Sequence, residues 1–169
     1  IRESRPQVLV TYDEFGGYGH PDHVQAHRVT HYAAALAAIR SHRPDLGEAW
    51  DVPKIYWVAM SATRMREGIL AMRETGAGDL FEGMDPDNLP PFAVEDEFLD
   101  AVVTSEEHVQ AKLAALKAHA TQITSDGAFF AMGMDVAASV WGTEHYRLVK
   151  GQRGPVGDSG FEEDLFAGV

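Results

Sequence analysis

Apolar and polar positions along this chain switch repeatedly between a strand-like and a helix-like period. Residues 8–12 (VLVTY) form a short β-branched and apolar run between Pro6 and Asp13, the pattern of a strand buried in a parallel sheet. Residues 13–20 follow with Gly16, Gly17 and Gly19, which predict a loop of unusual backbone angles. A helix is predicted over 21–40. Pro21 suits the first helical position, Asp22 suits the positive end of the helix dipole, and the alanines of 32–39 favour helix. A polar connection over 41–53 leads to a second strand at 54–60 (KIYWVAM). Ser61 can cap a following helix with Met65, Ile69 and Met72 on its apolar stripe. Residues 76–91 carry Gly, Asp and Pro and predict a long irregular loop.

Further on, 98–103 reads as a short strand and Thr104-Ser105-Glu106-Glu107 as a capping box. The helix after it presents Val109, Leu113, Leu116, Ala120 and Ile123 as a core-facing stripe. Residues 129–141 fit neither period cleanly, 144–149 reads as a last strand, and the Gly-rich tail from Lys150 reads as a surface loop. No internal repeat is present, and strands alternate with helices, so the predicted class is α/β with a mostly parallel sheet. The chain opens IRES without an initiator Met or a signal sequence. Those four residues read as the last turn of a helix that Arg5-Pro6 ends, so the chain is expected to begin inside a larger domain.

Composition narrows the function. The 169 residues carry 14 Lys and Arg against 26 Asp and Glu, a formal charge of −12. That sign disfavours nucleic acid and an anionic membrane surface as partners. No apolar run reaches the ~18 residues that a membrane helix needs. An apolar content of 45% supplies a real core for one domain. Cysteine is absent, so disulfides and thiolate metal sites are excluded, and any metal must sit on His, Asp or Glu. Four of the eight histidines, His20, His23, His27 and His31, fall within twelve residues.

These histidines belong to the segment Asp13-Glu-Phe-Gly-Gly-Tyr-Gly-His20-Pro-Asp-His23, which leaves a predicted strand and opens a predicted helix. Ligands bind at such strand ends in parallel α/β sheets, and a helix N-terminus adds a positive dipole end. His23/His27 and His27/His31 both show the four-residue spacing of a helical metal pair, so spacing offers several pairs without choosing among them. The protease glutamate is missing from between them, where Val24-Gln25-Ala26 stand. A site made of His23, His27 and His31 is excluded by helix geometry, since 23 and 31 lie ~12 Å apart along the axis. A non-catalytic module that holds an anion on the Gly16–Gly19 turn remains open at this point, as do purely structural roles for each residue.

The motif GGYGHPDH, within VTYDEFGGYGHPDHVQAH (10–27), resembles the LmbE-like zinc N-deacetylases, and within them the branch that deacetylates N-acetylglucosaminyl-inositol in mycothiol biosynthesis. Further similarity lies in PKIYWV (53–58), LDAVVTSEEHVQAKLAALKAHATQI (99–123), EHYRL (144–148) and, less strongly, GFEEDLFAGV (160–169). The resemblance implies a Rossmann-like LmbE-type fold, a zinc cofactor, a small amino-sugar substrate, a cytoplasmic location and possible homo-oligomers. It implies that His23 ligates zinc, that His20 stabilises the oxyanion and serves as general acid, and that Asp22 tunes His20. It also implies that Tyr18 polarises the substrate carbonyl and that Gln122 lies near the substrate. The family's AHPDDE motif, which supplies the other zinc ligands and the general base, has no match here. Residues 1–169 are therefore expected to be the C-terminal portion of one deacetylase domain, inactive without the N-terminal segment as partner. Mycothiol S-conjugate amidases share the chemistry, and deacetylases of other N-acetylglucosaminyl conjugates are a further alternative. Gly19, where the amidases carry proline, favours the sugar deacetylase.

Overall fold

The computed structural model describes residues 1–75, 85–123, 130, 138 and 141–169. They divide into two compact units: one of Ile1–Ala59, Phe98–Val102 and His145–Val169, the other of Met60–Glu97 and Val103–Glu144. The elements are β1 (Val8–Thr11), α1 (Pro21–Ala38), β2 (Lys54–Ser61), α2 (Ala62–Thr75), β3 (Ala93–Val94), β4 (Ala101–Thr104), α3 (Val109–Ala118) and β5 (Thr143–Lys150), with short 3-10 turns between several of them. The strand order is β1-β2-β5-β4, and β3 pairs with β2 off this path. β1 runs parallel to β2 in the register Val8↔Lys54 to Thr11↔Trp57. β5 runs antiparallel to β2, with Val58 opposite Tyr146.

The class is α/β, but the sheet is mixed where a mostly parallel one is expected. A buried apolar strand reads the same in either direction, so residues 144–149 give no sign of the reversal.

In the first unit, Ala34 of α1 packs with Val52 and Ile55, and Ile1, Leu9 and Trp50 close around them. Residues 1–4 make one turn, closed by the Arg5 N–H donating to the Ile1 carbonyl at 2.8 Å, and Arg5 leaves it at a positive φ of 44°. The tail departs from a surface loop at one position: Glu162 is fully buried against Lys54 and Tyr56.

In the second unit, the Ser61 hydroxyl accepts the Arg64 N–H, the expected cap of α2, and donates to Asp96 at 2.7 Å. Ile69 is buried, while the Met72 side chain lies outside the described residues. The capping box at 104–107 does not form. Thr104 ends β4, residues 106–108 wind as a 3-10 turn, and the His108 N–H goes to the Ser105 carbonyl with no side-chain cap. α3 stops at Ala118, short of Ile123, with Val109 as its buried residue. Parts of the 76–91 loop and most of 129–141 also lie outside the described residues. No helix among the described residues is long and apolar enough to cross a membrane.

Candidate metal-binding and hydrolytic site

The site is built where β1 hands over to α1, wholly within the first unit. Asp13 shapes the turn. Its carboxylate accepts the Phe15 N–H at 3.1 Å and the Gly17 N–H at 2.8 Å, the backbone-mimicking bond that Asp forms after a strand. Gly16, Gly17 and Gly19 all take positive φ, which lets the loop fold back over the start of the helix. His20 is the N-cap of α1. Its Nδ1 accepts the Asp22 N–H at 3.1 Å, so the proton of the neutral ring sits on Nε2 and points away from the helix.

Asp22 acts on His20 mainly through that backbone bond. Its carboxylate is 3.9 Å from the same Nδ1 and its side chain is 90% exposed, too far and too solvated for a strong pair. Tyr18 is also exposed, with its ring edge-on to His23 at 5.1 Å and to His20 at 6.2 Å. The His20 and His23 rings are 5.0 Å apart. Three of the expected residues, Tyr18, His20 and His23, therefore converge on one turn, with Asp22 at its rim. Gln122 belongs to the second unit, exposed in the turn after α3, where its N–H donates to the His119 carbonyl.

His23 has the orientation that a metal ligand needs. Its Nδ1 faces the Gly16 carbonyl at 3.2 Å; a carbonyl can only accept, so Nδ1 carries the proton and Nε2 keeps a free lone pair. No hydrogen-bond partner for Nε2 occurs among the described residues. A neutral imidazole fixed this way fits a zinc ion. The described residues contain no cluster of three His, Asp or Glu able to hold one, so among them His23 stands as an oriented ligand without two partners of that kind beside it.

Spacing alone does not reveal the neighbours of His23. The Tyr12 ring lies flat on it, with centroids 4.0 Å apart and planes at 4°. The His27 Nδ1–H donates to the Tyr12 carbonyl at 2.9 Å. His31 accepts the Trp57 indole N–H at 2.8 Å, and its ring sits 4.5 Å from that of His27. Burial, then the neighbouring His27, pushes the His31 pKa below the usual histidine value. The one hint in the sequence is the run of histidines four residues apart behind an aromatic strand end.

No protein-family model matches the chain. Over its full length it is 64% identical to the 1D-myo-inositol 2-acetamido-2-deoxy-alpha-D-glucopyranoside deacetylase of a Nocardioides species. It is 59% identical to the protein of that name from Kribbella flavida and 52% identical to that from Geodermatophilus obscurus. The chain is a relative of these deacetylases. It covers 56%, 56% and 57% of their respective lengths. The likeness read from GGYGHPDH thus extends along the whole chain, which matches a little over half of each deacetylase.

Proposed function

We propose that the protein works as a zinc-dependent N-deacetylase of LmbE type, hydrolysing the acetamido group of N-acetylglucosaminyl-inositol. The observation that carries this reading is the 64% identity, over the whole chain, to a deacetylase named for that sugar-inositol substrate. The orientation of His23 supports it from the chemical side. His23 would hold the zinc through Nε2, with its Nδ1–H fixed on Gly16. Zinc, when bound, supplies a Lewis acid and lowers the pKa of its water to near 7.

The remaining roles belong to the chain's own residues. The His20 Nε2–H and the Tyr18 hydroxyl are donors for the oxygen that becomes negative when the amide carbonyl turns tetrahedral. One such donor contributes about 3 kcal/mol. The positive end of α1 acts in the same sense. The departing amine nitrogen would take the proton that the general base removes from the attacking water, because His20 in this tautomer cannot give up its Nε2 proton without becoming an imidazolate, so it serves as a donor to the oxyanion. Asp22 holds His20 in that tautomer through its N–H. Gln122 is proposed to contact the sugar. The other zinc ligands and the general base are proposed to come from the portion of such a deacetylase that the match leaves uncovered.

The test is His23→Ala in the full-length protein, assayed on N-acetylglucosaminyl-inositol with zinc present. Hydrolysis is expected to fall about a thousand-fold or more, since several kcal/mol of charge stabilisation go with the ligand. A variant with the full wild-type rate would overturn the reading. An anion-holding module without catalysis would leave both proteins inactive and equally able to bind an anion.

A further inference from the structure

We propose that His27, acting through Tyr12, is a positioning residue that sets the ring orientation of His23. The proposal rests on the deacetylase reading for what His23 does, and on geometry for the rest. The bond from His23 Nδ1 to the Gly16 carbonyl is 3.2 Å, at the long end for N–H···O, and by itself leaves the imidazole room to swing. The second restraint is the Tyr12 ring, stacked at 4.0 Å and only 4° from parallel. A stack that flat restrains rotation of the imidazole about the bond that would turn Nε2 aside.

Tyr12 is the first residue past β1, whose ladder with β2 ends at Thr11↔Trp57, so the sheet does not hold its carbonyl. His27 does, with a 2.9 Å bond from the second turn of α1. His27 is itself wedged, its ring 5.3 Å from Trp57 and 4.5 Å from His31, which the Trp57 indole N–H fixes in turn. A histidine on an open helix face would show none of these contacts. The line runs Trp57, His31, His27, Tyr12, His23, and its last member carries the proposed metal-binding nitrogen. Residues that orient a ligating histidine in this way alter metal affinity or activity when they are changed.

The experiment uses the full-length protein and two readouts: zinc affinity, by competition with a chromophoric chelator, and kcat and KM on N-acetylglucosaminyl-inositol. His27→Ala is expected to lower zinc affinity and kcat by about 10–100-fold with KM little changed. His27→Asn, whose amide N–H replaces Nδ1–H, is expected to recover most of the loss. Tyr12→Leu should behave like His27→Ala, and Tyr12→Phe, which keeps the ring, should stand well above Tyr12→Leu. If His27→Ala does not fold, the two Tyr12 variants decide. Wild-type zinc affinity and kcat in His27→Ala, or in Tyr12→Leu, would overturn the proposal. So would equal impairment of His27→Asn and His27→Ala. A wild-type protein that neither binds zinc nor hydrolyses the amide would overturn the deacetylase reading and this one with it; a competent wild type with unaffected variants would overturn this one alone.

Discussion

A Cβ on residue 16 would lie 2.7 Å from the Val24 amide nitrogen, 2.9 Å from the His23 Cβ and 3.0 Å from the His20 carbonyl oxygen. Two of those atoms are backbone of the first helical turn and cannot turn aside. Residue 16 also sits at φ +71°, where a side chain costs about 1–2 kcal/mol before any clash. Gly19, at φ +94°, has nothing within 4 Å of its would-be Cβ and bears the conformational cost alone. Gly16→Ala should therefore destabilise the protein by clearly more than Gly19→Ala, with about 1–2 kcal/mol expected for the latter. It should also weaken zinc binding, because the Gly16 carbonyl holds His23. Chemical denaturation of the two variants, with a zinc titration of each, checks this. Tyr18, His20, Asp22 and His23 were legible in the sequence because their chemistry is compressed into six residues behind glycines. Tyr12 and His27 were not: their bond joins residues fifteen apart and exists only because the strand end lies against the second turn of α1.

Helix α1 carries no basic residue in its last turn, yet its C-terminal carbonyls are met by a cation from elsewhere in the chain. The buried Arg2 guanidinium donates to Ala37 at 3.0 Å, Ile39 at 2.6 Å, His42 at 2.6 Å and Arg43 at 2.8 Å. Charged bonds to the negative end of a helix are favourable, and a planar fork can address several carbonyls at once. Arg2→Ala should lower stability by about 2–4 kcal/mol, and Arg2→Lys should restore only part of it, as read by urea denaturation. β1, α1, β2 and β5 were legible to within about two residues because each couples a clear period to a Pro, Gly or Asp boundary. The start of α3 was not: TSEE has the letters of a capping box, but Thr104 is committed to β4 and the His108 N–H turns onto the Ser105 carbonyl. Local signals of that kind yield to strand pairing, which is worth more.

Within the first unit, the tail is tied to β2 by a buried cluster that spans 108 residues of sequence. The Glu162 side chain is 0% exposed and takes the Lys54 ammonium at 2.5 Å on one oxygen and the Tyr56 hydroxyl at 2.8 Å on the other. Burial, then the hydrogen bond to Glu162, pushes the Tyr56 phenol far above its usual pKa, so it stays a donor throughout the physiological range. Such a pair is weak evidence of net stabilisation, since both ions have left water, but losing one partner strands the other. Lys54 is 1% exposed and could not reach solvent without moving β2. Glu162→Ala should therefore lower stability by about 3–5 kcal/mol. Replacing all three by apolar groups of similar size (Lys54→Met, Tyr56→Phe and Glu162→Leu together) should recover most of that loss, as no charge or hydroxyl is then left unpaired. A triple variant as unstable as Glu162→Ala would mean that the cluster contributes more than mutual neutralisation. β2 carries Trp57 only three residues beyond Lys54, and Trp57 fixes His31 beside His27. Glu162→Ala, measured well below its unfolding temperature, should then show a fall in zinc affinity that the triple variant reverses, although Glu162 touches none of the residues proposed for the chemistry.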